Sequence, residues 1–246
     1  MKVGVVAPGP VPEAFGGAQR LWQGLVSWIG EHTTHDAELV VVPSPERTLA
    51  DVLDSYERFS RLDVSRFDLV ISSKYPGWMV DHPRHVVYML HPLRGLYDTY
   101  WMTGFPERIE TDDRPLRDLT SLLRRPPERS ALDQVFARTR ELLAGRGDDP
   151  AFALPGPLAR ELVHFLDGVG LARGAIARYL ALSATVARRP GYFPPGSAPR
   201  PSPAPPPSRA CAAGPATISS RPAGSTARSG STSSSTRCAT SPTTSP

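Results

Sequence analysis

Short runs rich in β-branched residues alternate with longer amphipathic segments through the first 196 of the 246 residues. Runs of this length and composition are typical of strands buried on both faces of a sheet. They cover residues 2–7, 38–42, 68–72 and 85–90. Residues 17–31 and 45–59, which lie between them, carry apolar side chains at helical spacing. The alternation predicts an α/β fold, a Rossmann-like doubly wound parallel sheet covered by helices.

The middle of the chain is less regular. Three helical patterns, separated by Pro and Gly, predict a helical insertion beside the sheet: residues 112–125, 131–145 and 158–171. Residues 178–183 then predict a returning strand, and residues 184–189 a short helix. A Pro-rich connector follows, so the sequence predicts one domain over residues 1–196.

Residues 197–246 have a different composition. Except for Ile218, they are all Ser, Ala, Pro, Arg, Gly, Thr or Cys, which offers almost nothing to bury and predicts a disordered tail. Every one of these residue types has codons with G or C in the middle position. Out-of-frame translation of a GC-rich gene explains this composition, and we expect a frameshift near residue 197 that truncates the protein. A natural flexible linker is the alternative.

The tail also dominates the charge and the cysteine content. Of the 28 basic residues, five lie after residue 196, which leaves 23 against 24 acids before it. The basic character therefore predicts no specific nucleic-acid partner. Both cysteines, Cys211 and Cys238, lie in the tail, so the domain has no disulfide framework. With neither a signal peptide nor an apolar run of membrane-spanning length, we expect a cytoplasmic protein.

Ligands of open α/β sheets bind beyond the carboxyl ends of the strands. After the first predicted strand, Gly16 and Gly17 open a helix that carries Arg20. Bare backbone N–H groups at a helix start favour a phosphate group. The loop lacks the dinucleotide fingerprint G-x-G-x-x-G, so an ordinary tight turn is the alternative.

Two further segments follow strands in the same way. Lys74 could meet an anionic group, and Tyr75 and Trp78 could stack on a sugar. The alternative is a solvated lysine beside two half-buried aromatic rings. His91, followed by Arg94, is placed to hydrogen-bond a polar ligand. A structural histidine in a loop is the alternative there. The other five histidines have no metal-ligand spacing.

Several ordered segments resemble the amino-terminal half of bacterial family 4 glycosyltransferases. They are MKVGVVAPGPVPEAFGGAQR, FDLVISSKYPGWMV, HVVYMLHPLRGLYDTY and LALSATVARRPGYFPPG. The resemblance implies the acceptor-side half of a GT-B fold. It also implies transfer of a sugar from a nucleotide-sugar donor with retained configuration, usually without a metal or other cofactor.

The resemblance assigns roles to three residues: Gly16 and Gly17 would face the donor diphosphate, and His91 would reach the donor sugar. From their positions beyond the strand ends, we also expect Arg94 at the diphosphate, and Arg20, Lys74 and Trp78 at the sugar or the acceptor. The family's donor-binding half has no counterpart in this sequence, so we expect the chain as written to be impaired or inactive.

The acceptor stays open between a glycan, a lipid-linked and a small molecule, and so does a peripheral membrane contact. The donor sugar and the oligomeric state are also open. Two other classes of function are the alternatives: a non-catalytic α/β module that binds a ligand or partner, and an unrelated α/β enzyme.

Overall fold

The computed structural model describes residues 1–9, 16–146 and 149–204. Six parallel strands form one sheet in the order β2-β1-β3-β4-β5-β6. The strands are β1 (Lys2–Gly9), β2 (Asp36–Pro43), β3 (Leu69–Lys74), β4 (His85–His91), β5 (Arg178–Ala181) and β6 (Arg200–Pro201). The helices are α1 (Gly17–His32), α2 (Leu49–Ser60), α3 (Arg114–Leu123), α4 (Leu132–Arg146), α5 (Pro157–Gly170) and α6 (Ala184–Ala187).

The predicted α/β class with a parallel sheet is confirmed, and the architecture is consistent with a Rossmann-like fold. Each predicted strand and helix before residue 196 has a counterpart, with ends that differ by a few residues. The agreement has a physical cause: strands buried on both faces read as continuous apolar runs, whereas helices show a 3.6-residue repeat.

The order of the strands decides which face each helix covers. The chain moves from β1 to β2 in one direction and from β3 to β6 in the other. Because crossovers between parallel strands are right-handed, this reversal puts α1 on one face and the later helices on the opposite face. Accordingly, Trp22 of α1 packs with Val5 and Ala7 of β1, whereas Val6 belongs to the other core cluster.

The three helices of the middle segment are part of that second core. Buried residues of α3, α4 and α5 form one cluster with α2 and with the adjacent face of the sheet. The segment predicted as an insertion beside the sheet therefore covers one of its faces. On the opposite face, an apolar groove of about 390 Å³ lies over β3, β4 and β5, next to Trp28 of α1.

The sheet continues beyond the predicted domain boundary at residue 196. β6 pairs with β5, Ser202 N–H donates to the Ala181 carbonyl (2.8 Å), and the Tyr88 hydroxyl donates to the Ser202 carbonyl (2.7 Å). The boundary therefore requires correction to at least Ser202. Pairing at a sheet edge uses backbone groups, which a segment without large apolar side chains still has. The rest of the predicted tail, residues 205–246, lies outside the described residues.

Candidate functional site

The carboxyl ends of β1 and β3, with the residues that follow β2 and β3, line a small cavity of about 100 Å³ at the carboxyl edge of the sheet. Its lining consists of Pro8, Gly9, Ser44, Pro45, Glu46, Arg47, Lys74 and Tyr75. Lys74 was predicted as a site residue from its position after a strand. The segment 44–47 was missed, although it follows a predicted strand and ends at the same edge. Its charged pair, Glu46 and Arg47, is the signal that would have identified it.

Two predicted site residues are neighbours on adjacent strands. Lys74 at the end of β3 is the register partner of His91 at the end of β4. Both side chains are half-buried, and the Lys74 ammonium lies 4.9 Å from the centre of the Tyr75 ring. The Tyr75 and His91 rings are 6.3 Å apart. The parallel register therefore joins one cation and one imidazole that are 17 positions apart in the sequence.

The protonation state of His91 follows from its surroundings. Burial lowers the pKa of His91; the hydrogen bond to the Pro92 carbonyl opposes this, and the charges of Lys74 and Arg94 lower the pKa further. The ring is therefore neutral at pH 7. Nδ1 lies 2.8 Å from the Pro92 carbonyl oxygen. Because a carbonyl only accepts, Nδ1 carries the hydrogen and Nε2 is an acceptor.

Arg94 lies in the same loop but is already paired. Its Nε and Nη2 donate to the Asp98 carboxylate at 3.1 and 3.0 Å. Asp98 also accepts from Arg189 Nη1 (2.9 Å) and from the Tyr192 hydroxyl (3.1 Å). Burial acts to raise the pKa of Asp98, but the Arg94 and Tyr192 hydrogen bonds and the two arginine charges hold it below its ordinary value. These hydrogen bonds to Asp98 thus connect the loop after β4 to the segment after α6.

The predicted phosphate loop is partly described. Gly16 and Gly17 are exposed at the start of α1, where open space surrounds the Gly17 Cα. The Gly16 N–H donates to the Gln19 side-chain oxygen (3.1 Å), so this donor is already used within the chain. Arg20 is exposed in the first turn of α1. Residues 10–15, which complete the predicted loop, lie outside the described residues.

A contact that the sequence did not predict docks α1 against β3. The Trp22 indole N–H donates to the Ser73 hydroxyl of β3 over 2.5 Å, and both side chains are buried. The indole and the hydroxyl satisfy each other in the interior, which makes this docking specific. The first turn of α1 is thereby held near the end of β3, one residue from Lys74.

The prediction that Trp78 contacts a sugar requires correction. Trp78 is 0% exposed, and its indole N–H donates to Asp167 Oδ1 (2.8 Å). Tyr75, its companion in that prediction, is 4% exposed. The Trp78 ring has no free face on which a sugar could stack. The loop after β3 therefore contributes Lys74 to the edge, while its aromatic residues belong to the core.

Asp167 is the most heavily hydrogen-bonded buried carboxylate here, and the sequence analysis missed it. It lies in α5 and is 2% exposed. Besides Trp78, the hydroxyls of Tyr56 (2.6 Å) and Tyr97 (2.7 Å) donate to it. Burial raises the pKa of Asp167 to about 6, against the opposing effect of the three donors. A lone Asp on the apolar side of a helix is the sequence signal for such a residue.

Other parts of the described chain are weaker candidates. A cavity of about 670 Å³ lies between α3 and α4 and is lined by charged side chains such as Arg138 and Glu141, which pair with each other. It contains none of the strand ends. Among the described residues, no group of three or more His, Cys, Asp and Glu side chains is placed to hold a metal ion. No described helix is both long and apolar enough to cross a membrane.

No family model, curated protein or solved structure matches this chain. The resemblance to family 4 glycosyltransferases therefore stays a hypothesis based on the segments quoted above.

Proposed function

We propose that this chain is the acceptor-side half of a retaining GT-B glycosyltransferase resembling family 4, which uses a nucleotide-sugar donor. The observation that carries the proposal is the register pair of Lys74 and His91, beside a cavity of only about 100 Å³. Binding sites for small molecules usually enclose about 300–1,000 Å³. A cation and an imidazole beside so small a cavity support an incomplete site: this edge is one wall of a cleft, and a second domain is the other wall.

Each residue at this edge has a distinct role in the proposal. The first N–H groups of α1 at Gly17 and the Lys74 ammonium attract the donor diphosphate. The neutral His91 ring accepts a hydrogen bond from a sugar hydroxyl through Nε2. Catalysis then depends on positioning the sugar and on electrostatic support of the leaving diphosphate. Arg94 acts mainly by holding the loop through Asp98, because its guanidinium is already paired.

We expect the chain as written to have a low affinity for the donor, because the other cations of the diphosphate site belong to the second half. Without them, we expect nucleotide sugars to bind at about millimolar affinity or weaker, equivalent to about 4 kcal/mol. The test is a titration of the 246-residue chain with UDP-glucose and GDP-mannose, followed by amide NMR shifts.

We expect the shifting amides to cluster at Gly17, Lys74 and His91. Lys74→Met should weaken the response about 3-fold or more, because it removes a charge-assisted contact. Arg84→Met is the matched control, since Arg84 is an exposed cation just before β4, at the opposite edge of the sheet. Equal effects of the two variants, or shifts elsewhere, would contradict the assignment. Micromolar binding would instead indicate a complete site and the non-catalytic binding module.

A further inference from the structure

The loop after β4 exposes a cluster of large apolar side chains. Trp101 is 78% exposed, Met102 69% and Phe105 50%, and they lie on or beside the 3-10 turn Tyr100–Thr103. Residues 99–106 contain no charged side chain. We call these eight residues the aromatic tip. Such side chains usually collapse inward, so their exposure on one short turn calls for a physical reason.

The aromatic tip is held open by its own hydrogen bonds. Tyr100 is buried (4% exposed), and its hydroxyl donates to the Pro106 carbonyl (2.8 Å), which closes the loop. The Thr103 hydroxyl donates to the Tyr100 carbonyl (2.8 Å), and Gly104 ends the turn with a φ of 71°, a left-handed conformation that favours glycine. These contacts keep the neighbouring apolar side chains pointing away from the core.

Four backbone N–H groups of the aromatic tip are paired within the loop. The N–H groups of Tyr100, Met102, Gly104 and Phe105 donate to Tyr97 O (3.2 Å), Thr99 O (3.1 Å), Trp101 O (3.5 Å) and Thr103 Oγ1 (3.1 Å). A backbone group left unpaired would carry a large cost in an apolar medium. These four donors impose no such cost, which lowers the penalty for moving the tip out of water.

The acids that flank the aromatic tip are paired. Asp98, on one side, is paired with Arg94 and Arg189, and Glu107, on the other, lies 3.7 Å from Arg160. These ion pairs contain three cations and two acids, so they leave one net positive charge beside the tip. A single charge attracts anionic lipid only weakly, and binding by this surface depends mainly on apolar contact.

The size and composition of the aromatic tip favour one occupant. Side chains of this kind present about 150–250 Å² each, so the exposed fractions amount to roughly 400 Å². A stable protein interface needs about 800 Å² per partner. Tryptophan is enriched at the boundary between lipid and water. We propose that the aromatic tip inserts into the interfacial region of a lipid bilayer and attaches this edge of the domain to a membrane surface.

The test is flotation of the 246-residue chain with vesicles of phosphatidylcholine alone. We expect the wild type to float with the vesicles. The variant Trp101→Ser/Met102→Ser/Phe105→Ser should bind about 10-fold less or weaker, since it loses most of the inserted apolar area. Trp28→Ser is the matched control, because Trp28 is 38% exposed but lies on α1. Salt or added phosphatidylserine should change binding by no more than about 5-fold, the effect of the one net charge beside the tip.

Bromine-labelled lipid gives a second measurement that does not require the triple variant. We expect it to quench wild-type tryptophan fluorescence, whereas Trp101→Phe should bind equally and lose the quenching. The proposal would be overturned by a wild type that stays with the soluble fraction, by equal binding of the triple variant, or by binding that requires anionic lipid. Lipid-free sedimentation that shows a dimer lost in the triple variant would overturn it in favour of contact between copies of the chain.

Discussion

Two loops at the carboxyl edge differ in whether their tryptophan is buried or exposed. The loop after β3 buries Trp78 completely, whereas the loop after β4 leaves Trp101 78% exposed. Each loop begins beside one member of the Lys74–His91 pair. The difference is that the Trp78 indole has a buried acceptor in Asp167, while none of the hydrogen bonds that close the aromatic tip involves the Trp101 side chain. Position after a strand therefore selects an edge of the sheet, and a partner elsewhere in the chain decides whether an aromatic residue is exposed or buried in the core.

Truncating the two tryptophans gives the largest expected contrast. Trp78→Ala should lower the free energy of unfolding by about 4 kcal/mol, because it opens a cavity in a close-packed core and leaves Asp167 one donor short. Trp101→Ala should change it by less than about 0.5 kcal/mol, since the side chain contacts mainly solvent. Denaturant unfolding of both variants measures the difference. Equal losses would mean that the two loops are equally part of the core.

A pH titration tests the acceptor that holds the buried loop. The pKa of Asp167 is about 6 in the fold against 3.8 as the ordinary value, so folding favours the protonated form. The resulting contribution to stability is complete below pH 3.8 and is lost as the pH rises through 6, by about 3 kcal/mol. Denaturant unfolding of the wild type and of Asp167→Asn, measured from pH 4 to pH 7.5, should show this loss only in the wild type.

The comparison with Asp167→Asn is needed because His85 changes the stability of the fold in the opposite direction as the pH rises. Burial lowers the pKa of His85 to about 3, so its neutral form stabilises the fold as the pH rises. His85 is unchanged in both proteins, and its contribution cancels in the difference. If the two proteins kept a constant difference in stability across this range, Asp167 would have an ordinary pKa in the fold.

The smallest effect concerns the helix that closes over the buried loop. At Gly170 in α5, an added Cβ would lie 2.7 Å from Trp78 Cδ1 and 2.9 Å from Met79 Sδ. Gly170→Ala should therefore cost about 2 kcal/mol, through overpacking. Gly30→Ala in α1 is the control: an added Cβ meets nothing within 4 Å there and should stabilise the helix by up to about 1 kcal/mol. Thermal melts of the two variants measure the difference. An unchanged melting temperature for Gly170→Ala would show that Trp78 and Met79 can shift to accommodate the added methyl group.

Much of the fold was predictable because its signals are local. Apolar runs and helical spacing lie within windows of 5 to 15 residues, and they identified the strands and helices before residue 196. β6 was not predictable in this way, since Arg200–Pro201 joins the sheet through backbone groups and not through an apolar pattern. The same local argument gave the candidate edge, because strand ends in a parallel sheet lie together, and it placed Lys74 and His91 there.

The sequence by itself determined the α/β class, the positions of the main elements, and the edge of the sheet at which polar side chains gather. The tertiary structure alone decided which of those side chains remain available. It paired Arg94 with Asp98 and buried Trp78 against Asp167, partners that are 4 and 89 positions away in the sequence. It left Trp101 exposed. The reason is physical: strand and helix patterns depend on neighbouring residues, whereas burial of an indole or a guanidinium depends on whether folding brings a matching acceptor to it.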